Sequence, residues 1–240
     1  MKRTLLCGWL AVAAASLSAA DPDLQAEVKA AAAALADQNS YSWLATVDTA
    51  NNSQFRGTGP SEGRTEKDGF THITMSFGDN DNEAVLKGTN VVIKMPNTGW
   101  QTVDESSRSD GNGGFSPRGF LIRTLQNYKL PAAQAADLAE EAKDLKRDTN
   151  GISGQLTEEE AAALLRRRGR NGDGASVGNA KGSVTFWIAD GKLAKYQFRV
   201  QGTVSFNGND RDVDRTTTVE IRDVNTTKVR VPDEAKKKLM

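Results

Sequence analysis

The chain has 240 residues, and its 31 Lys and Arg balance its 31 Asp and Glu, so the formal net charge at neutral pH is zero. This balance gives no electrostatic case for binding nucleic acid or an acidic membrane surface. The sequence holds one histidine, His72, and one cysteine, Cys7. Zinc sites built from several His or Cys ligands are therefore excluded. A Cys–His nucleophilic pair is not expected either, because Cys7 lies in the N-terminal segment that is expected to be removed.

Residues 1–20 predict an export signal. A positive start, Met1-Lys2-Arg3, precedes an apolar run to Leu17, and Ser18-Ala19-Ala20 offers small residues for cleavage after Ala20. The run is shorter than the about twenty residues that a membrane span needs. We expect residues 21–240 to be periplasmic or secreted and not membrane-spanning, with Cys7 removed. An uncleaved N-terminal anchor is the alternative.

The first elements of the processed chain are predicted to be one helix and a run of strands. Residues 21–38 have apolar side chains at helical spacing, and Asp21 is placed to cap that helix. From Tyr41 to Val103 the period changes to two, with turn residues at Asp68-Gly69 and again at Gly88. Alternation with frequent turns predicts an antiparallel meander that has one apolar face.

A helical insert is predicted from about 116 to 169. One helix begins near Ser116, and a second begins at Pro131 and keeps its apolar stripe as far as Leu145. A third follows a capping box at Thr157 and Glu160. The basic cluster Arg166–Arg170 ends the insert, either as a solvated helix end or as a grip for an anionic headgroup or acidic partner.

The last third of the chain returns to strands. An Asp190-Gly191 turn separates two alternating runs, and the second places its aromatic and aliphatic residues at even positions from Tyr196 to Phe206. Another run contains Val219, and Val229–Val231 is expected to close the sheet. The predicted fold class is therefore α+β: a curved antiparallel sheet, an open half-barrel, covered by amphipathic helices.

No catalytic residue, metal site or cofactor is predicted. His72 lies on the polar side of its strand and is expected to be a solvated strand residue. The acidic runs at 79–83 and 210–214 lack the Gly and Glu positions of an EF-hand loop. We expect a protein that is not an enzyme, with a carboxylate-based hydrolase as the alternative.

The order of elements resembles the LolA/LolB and LppX-like superfamily of periplasmic lipoprotein and lipid carriers. The similarity rests on the N-terminal helix, the meander, the helical insert, the hairpin Trp187-Ile188-Ala189-Asp190-Gly191 and the ending Val229-Arg230-Val231-Pro232. It implies one LolA-like domain over residues 21–240, an open β-barrel with helices as a lid and acyl chains as partners. It also implies a lid-holding arginine on an early strand, for which Arg56 and Arg64 are the candidates.

The resemblance implies lipid binding by the apolar side chains of the meander, which are Trp43, Val47, Ile73, Met75, Phe77, Val91, Ile93 and Met95. Two other interpretations stay open. The same face can be an ordinary core sealed by the helices. The protein can also be a non-enzymatic envelope binding module for a protein or glycan partner.

Overall fold

The computed structural model describes residues 23–50, 58–77, 80–95, 99–108, 124–166, 176–206 and 208–240. The predicted signal segment, 1–20, lies outside these residues. The helices in the described part are α1 (Leu24–Ala36), α2 (Val103–Arg108), α3 (Pro131–Glu141), α4 (Glu158–Arg166) and α5 (Asp233–Leu239). The strands are β1 (Ser40–Thr49), β2 (Thr58–Glu66), β3 (Thr71–Phe77), β4 (Asn80–Lys87), β5 (Asn90–Met95), β6 (Gly99–Thr102), β7 (Ala142–Asp148), β8 (Gly151–Leu156), β9 (Ser176–Ala189), β10 (Lys192–Phe206) and β11 (Asn209–Arg222).

All these strands belong to one antiparallel sheet that is not closed into a barrel. Their order is β6-β5-β4-β3-β2-β1-β11-β10-β9-β8-β7, so β6 and β7 are opposite edges. The predicted turns are present, with positive φ at Asp68 between β2 and β3, at Gly88 between β4 and β5 and at Asp190 and Gly191 between β9 and β10. The predicted α+β sheet with covering helices is confirmed.

Helix α1 begins later than the sequence suggests. Its N-cap is Asp23, whose carboxylate accepts a hydrogen bond from the backbone N–H of Ala26 at 3.1 Å. Asp21, the expected cap, lies outside the described residues. The apolar stripe is buried as predicted, through Val28, Ala32 and Leu35.

The predicted helical insert also contains a β-hairpin. Helix α3 ends at Glu141, and residues 142–156 form β7 and β8 at one edge of the sheet. The expectation that the helix continues to Leu145 is therefore wrong. Strand β7 has a register shift between Lys143 and Lys146, with positive φ at Asp144. The irregularity accounts for the spacing of three between the buried Ala142 and the partly buried Leu145, which imitates a helical stripe.

The C-terminal segment does not add the expected strand at Val229–Val231. The backbone N–H of Val229 instead donates to Glu66 Oε1 at 2.9 Å, at the end of β2. The backbone N–H of Asn225 donates to the carbonyl of Ser40 at 2.7 Å. These hydrogen bonds hold the segment between β11 and α5 against the ends of β1 and β2 without adding it to the sheet.

Two hydrophobic cores lie on opposite faces of the sheet. We call the face covered by α1, α3 and α4 the inner face, and it carries the larger core, which includes Trp43, Phe186 and Tyr196. The outer face carries a smaller core under α5, formed by Val85, Val92, Trp100, Ala235 and Leu239. The larger core therefore lies between the inner face and helices α1, α3 and α4.

Candidate ligand site on the inner face

The strand register brings the predicted ligand-binding residues onto the inner face. Trp43 pairs with Gly63, which pairs with Ile73, and the line continues through Ala84 to Ile93. These residues come from five adjacent strands. One face of the meander therefore collects the apolar side chains that the alternation of the sequence had grouped.

The surroundings of the eight predicted residues differ. Those buried in the larger core are Trp43, Ile73, Met75, Val91 and Ile93. Val47 is half-buried near the end of β1. Phe77 and Met95 lie at strand ends, and their side chains are outside the described residues. The six residues whose side chains are described share one face, and the role of all eight in binding a ligand stays a prediction.

An aromatic group packs at the centre of the inner face. The rings of Tyr41 and Trp43 are 5.8 Å apart between centroids, and Tyr128 stacks on Trp43 at 6.4 Å with an interplanar angle of 25°. The Tyr196 hydroxyl donates to Gln134 Oε1 of α3 at 2.6 Å. This last bond connects the interior strand β10 to helix α3, which covers it.

The three tyrosines of this group are held neutral. Burial raises the pKa of Tyr41 to about 12, and it also raises the pKa values of Tyr128 and Tyr196 well above the ordinary range. At physiological pH their hydroxyls therefore act as neutral hydrogen-bonding groups. Such groups suit an apolar pocket that has a few polar contacts.

Arg215 is a buried charged residue on the inner face of β11. Only 8% of it is exposed, and its Nη2 donates to the carbonyl of Leu164 in the last turn of α4 at 2.9 Å. A cation suits this position, because the end of a helix carries partial negative charge. The residue is thus a tether between the sheet and α4.

Sequence reasoning missed Arg215 and nominated two other arginines. Arg56 lies outside the described residues, and Arg64 is exposed on the outer face, opposite Ser42 and His72 in the register. The signal for Arg215 was present in the alternation, since it is in phase with Val219. A charge at an inward position of an otherwise apolar strand face indicates a specific partner.

Among the residues that the structure describes, the helices cover one apolar end of the inner face only in part. Strands β9, β10 and β11 extend beyond the C-terminal end of α4, where Leu165 lies directly over Gly202. Val177, Val204 and Val213 follow on the inner face and are half-buried against the larger core. We call this part of the inner face, which carries Val177, Val204 and Val213, the open end.

The polar side chains of the outer face pair with one another. Glu83 lies 2.5 Å from Lys94 and 3.3 Å from His72, and the hydrogen bond from Lys94 lowers the pKa of Glu83. Arg199 binds both carboxylate oxygens of Asp214. Among the residues that the structure describes, no cluster of His, Cys, Asp and Glu is arranged to hold a metal ion.

A recess lies on the outer face between β6, α2 and α5. It has a volume of about 540 Å³ and is lined by Trp100, Gln101, Glu105, Glu234, Lys237 and Lys238. Lys238 spans it to Glu105 at 2.7 Å. The recess is open to solvent, and four of its six lining residues are charged, which does not suit an acyl chain.

Comparison with solved structures identifies the fold. The lipoprotein LppX of Mycobacterium tuberculosis superposes with a TM-score of 0.50 at 12% identity, over 89% of this chain and 100% of LppX. The protein has a LolA/LppX-like fold. LprF from Mycobacterium bovis gives a TM-score of 0.47 at 11% identity, covering 89% of this chain and 97% of its own.

A LolA superfamily protein from Nitrosomonas europaea gives a TM-score of 0.35 at 9% identity, covering 88% of this chain and 95% of its own. No protein-family model matches the chain, and no curated protein matches it in sequence. The superposition on LppX confirms the predicted LolA/LppX-like resemblance at the level of the fold. In the described ranges, no helix has both the length and the apolar character to cross a membrane.

Proposed function

We propose that this protein is an exported, non-enzymatic binder of lipid or lipoprotein acyl chains, and that the chain is taken up between the inner face and its covering helices. The observation that carries the proposal is the continuity of the apolar inner face. It runs from the buried core at Trp43 to the open end, where Val177, Val204 and Val213 are half-buried. The LolA/LppX-like fold supports the same proposal, as does the predicted export signal.

The inner face is packed in this structure, so a ligand must displace part of a helix. Helix α4 buries Ala161, Ala162, Leu164 and Leu165 against the sheet. Exposing these four side chains costs roughly 5–8 kcal/mol, since a buried leucine contributes about 1.5–3 kcal/mol. An acyl chain of roughly fourteen methylenes gains about 11 kcal/mol at about 0.8 kcal/mol per methylene. The gain is comparable to this cost plus the lower end of the association cost of about 4–15 kcal/mol, so displacement of α4 is energetically within reach.

Helix α4 is the element best suited to move. It is only 9 residues long, too short to be stable as an isolated helix in water. Residues 167–170 of the predicted basic cluster follow it and lie outside the described part of the chain, whereas Arg166 ends the helix and is exposed. A short helix held by apolar packing and by Arg215 can leave the sheet without disrupting the strand ladder.

The test is native mass spectrometry of the exported protein, purified from its own envelope without detergent. A co-purifying mass that organic solvent removes, identified as a lipid or an acylated peptide, is the expected result. The protein mass should correspond to residues 21–240, which also tests the predicted cleavage after Ala20. A bare mass, together with no uptake of added fatty acid, would reject the proposal and favour the alternative of a protein- or glycan-binding module.

Two variants on β10 make the test specific to the inner face. Val204→Glu places a carboxylate at the open end, and we expect acyl binding to weaken at least about tenfold because a charge opposes apolar contact. Ser205→Glu adds the same charge to the next residue, which faces the other side of the sheet and is similarly half-buried. Its binding should match the wild type, and equal losses in the two variants would place the ligand elsewhere.

A further inference from the structure

Thr217 carries a hydroxyl at a position where the surroundings favour an apolar side chain. It lies on the inner face of β11, paired with Val47 on one side and Phe198 on the other, and only 4% of it is exposed. In the described part of the chain its Oγ1 has no hydrogen-bond partner. Burying a hydroxyl without a partner is costly, and valine would fill the same shape without that cost.

A second polar group points to the same place. Arg215 is two residues before Thr217 on β11, so both side chains lie on the inner face about 7 Å apart along the strand. The Nη2 hydrogen bond to the Leu164 carbonyl holds the guanidinium of Arg215 on this face of the sheet. One oxygen acceptor between the two residues can receive a hydrogen bond from each of them.

The pair sits where an amphipathic ligand would need it. On one side is the buried aromatic core around Trp43, and on the other are the half-exposed Val204 and Val213 at the open end. The nearby tyrosines are neutral, so they present no competing anion. An acyl chain that enters from the open end brings its carbonyl group past the Thr217–Arg215 pair.

We infer that Thr217 and Arg215 form a subsite for the carbonyl oxygen of an acyl ligand, either an ester carbonyl or a free carboxylate. The inference rests on the proposed function and adds the part of the ligand that is recognised. Thr217 donates its hydroxyl hydrogen to the oxygen, and Arg215 supplies a charged N–H donor. The apolar chain itself contacts the surrounding valine and aromatic side chains.

The experiment compares three ligands of equal chain length: dodecanoate, its methyl ester and dodecane. Each is titrated against the exported protein by displacement of the neutral dye Nile red. The variant Thr217→Val removes the hydroxyl and keeps the shape, and Thr216→Val makes the same change on the outer face of the same strand. We expect Thr217→Val to bind the ester and the acid about fivefold more weakly, with dodecane unchanged, as loss of one hydrogen bond predicts.

The outcomes separate the subsite from the proposed function. A loss for the acid alone supports the subsite with a free carboxylate as its ligand. Equal binding of all three ligands by the wild type, or no effect of Thr217→Val, overturns the subsite while acyl binding stands. A wild type that takes up none of the three fails the proposed function as well. The melting temperature of Thr217→Val should equal or exceed that of the wild type, so a loss of affinity cannot be attributed to unfolding.

Discussion

The packing of Trp43 on Gly63 yields a sharp prediction for the substitution Gly63→Ala. A Cβ on Gly63 would lie 1.9, 2.3 and 2.4 Å from Cζ2, Cε2 and Cη2 of the Trp43 indole. Non-bonded carbons prefer about 3.5–4.0 Å, so the overlap is about 1.5 Å. A methyl group at this site cannot be accommodated without moving the ring or the strand.

The ring has little freedom to move. Only 2% of Trp43 is exposed, and it packs against Tyr41 and stacks on Tyr128. Overpacking in a core typically costs about 1–3 kcal/mol, and an overlap of this size belongs in the upper half of that range. We expect Gly63→Ala to lower the free energy of unfolding by about 2–3 kcal/mol. For a domain of this size the melting temperature should fall by about 4–12 °C.

Urea denaturation followed by far-UV circular dichroism measures the loss. Gly178→Ala is the matched control, because Gly178 is also in a strand and an added Cβ there meets nothing within 4 Å. Gly63→Ala is also measured in a protein that carries Trp43→Phe, which removes the distal part of the indole. Gly63→Ala should cost less in that background than in the wild type. If Gly63→Ala is as stable as Gly178→Ala, or costs the same in both backgrounds, the steric reasoning is wrong.

Three further predictions concern the tether, the buried phenols and the outer core. Arg215→Ala leaves the Leu164 carbonyl without its buried donor, so unfolding should become easier by about 2 kcal/mol and hydrogen exchange in α4 should accelerate; unchanged exchange there contradicts the tether. Because burial raises the pKa of Tyr41 to about 12, the stability that its neutral phenol contributes to the fold is fully present below pH 10 and is lost as the pH rises through about 12. Phenolate absorbance should therefore appear together with unfolding. Phenolate formation near pH 10 with the fold intact would contradict the burial of Tyr41. Leu239→Ala opens the core under α5 and should cost about 2 kcal/mol with faster exchange around Trp100, whereas exchange in the inner face stays unchanged; a global loss of protection would show that the two cores are not separate.

Much of the sheet was predictable because its signals are local. Alternation along β10 and β11 follows from the geometry of an extended chain, in which every second side chain faces the same way. Asp190-Gly191 predicts its hairpin because both residues tolerate the positive φ that the turn requires. The same alternation predicts that Trp43, Ile73 and Ile93 lie on one face of the sheet, without any knowledge of which strands are neighbours.

The tertiary structure decided the features that depend on distant partners. The spacing of Ala142 and Leu145 fits a helix as well as a bulged strand, and pairing with β8 settles the choice. Likewise, the local sequence predicts a strand at Val229, but its backbone N–H donates to the side chain of Glu66, 163 positions away. Local sequence holds no information about such partners, because they are brought together by the fold.

The sequence by itself predicted an export signal, the apolar face of the sheet and a LolA-like order of elements. Only the tertiary structure showed that α4 lies over Gly202, that Arg215 reaches the end of that helix and that Thr217 is buried beside it. The physical reason is that alternation tells which side of a strand a residue faces. What covers that side depends on contacts between segments far apart in the chain, which no local periodicity encodes.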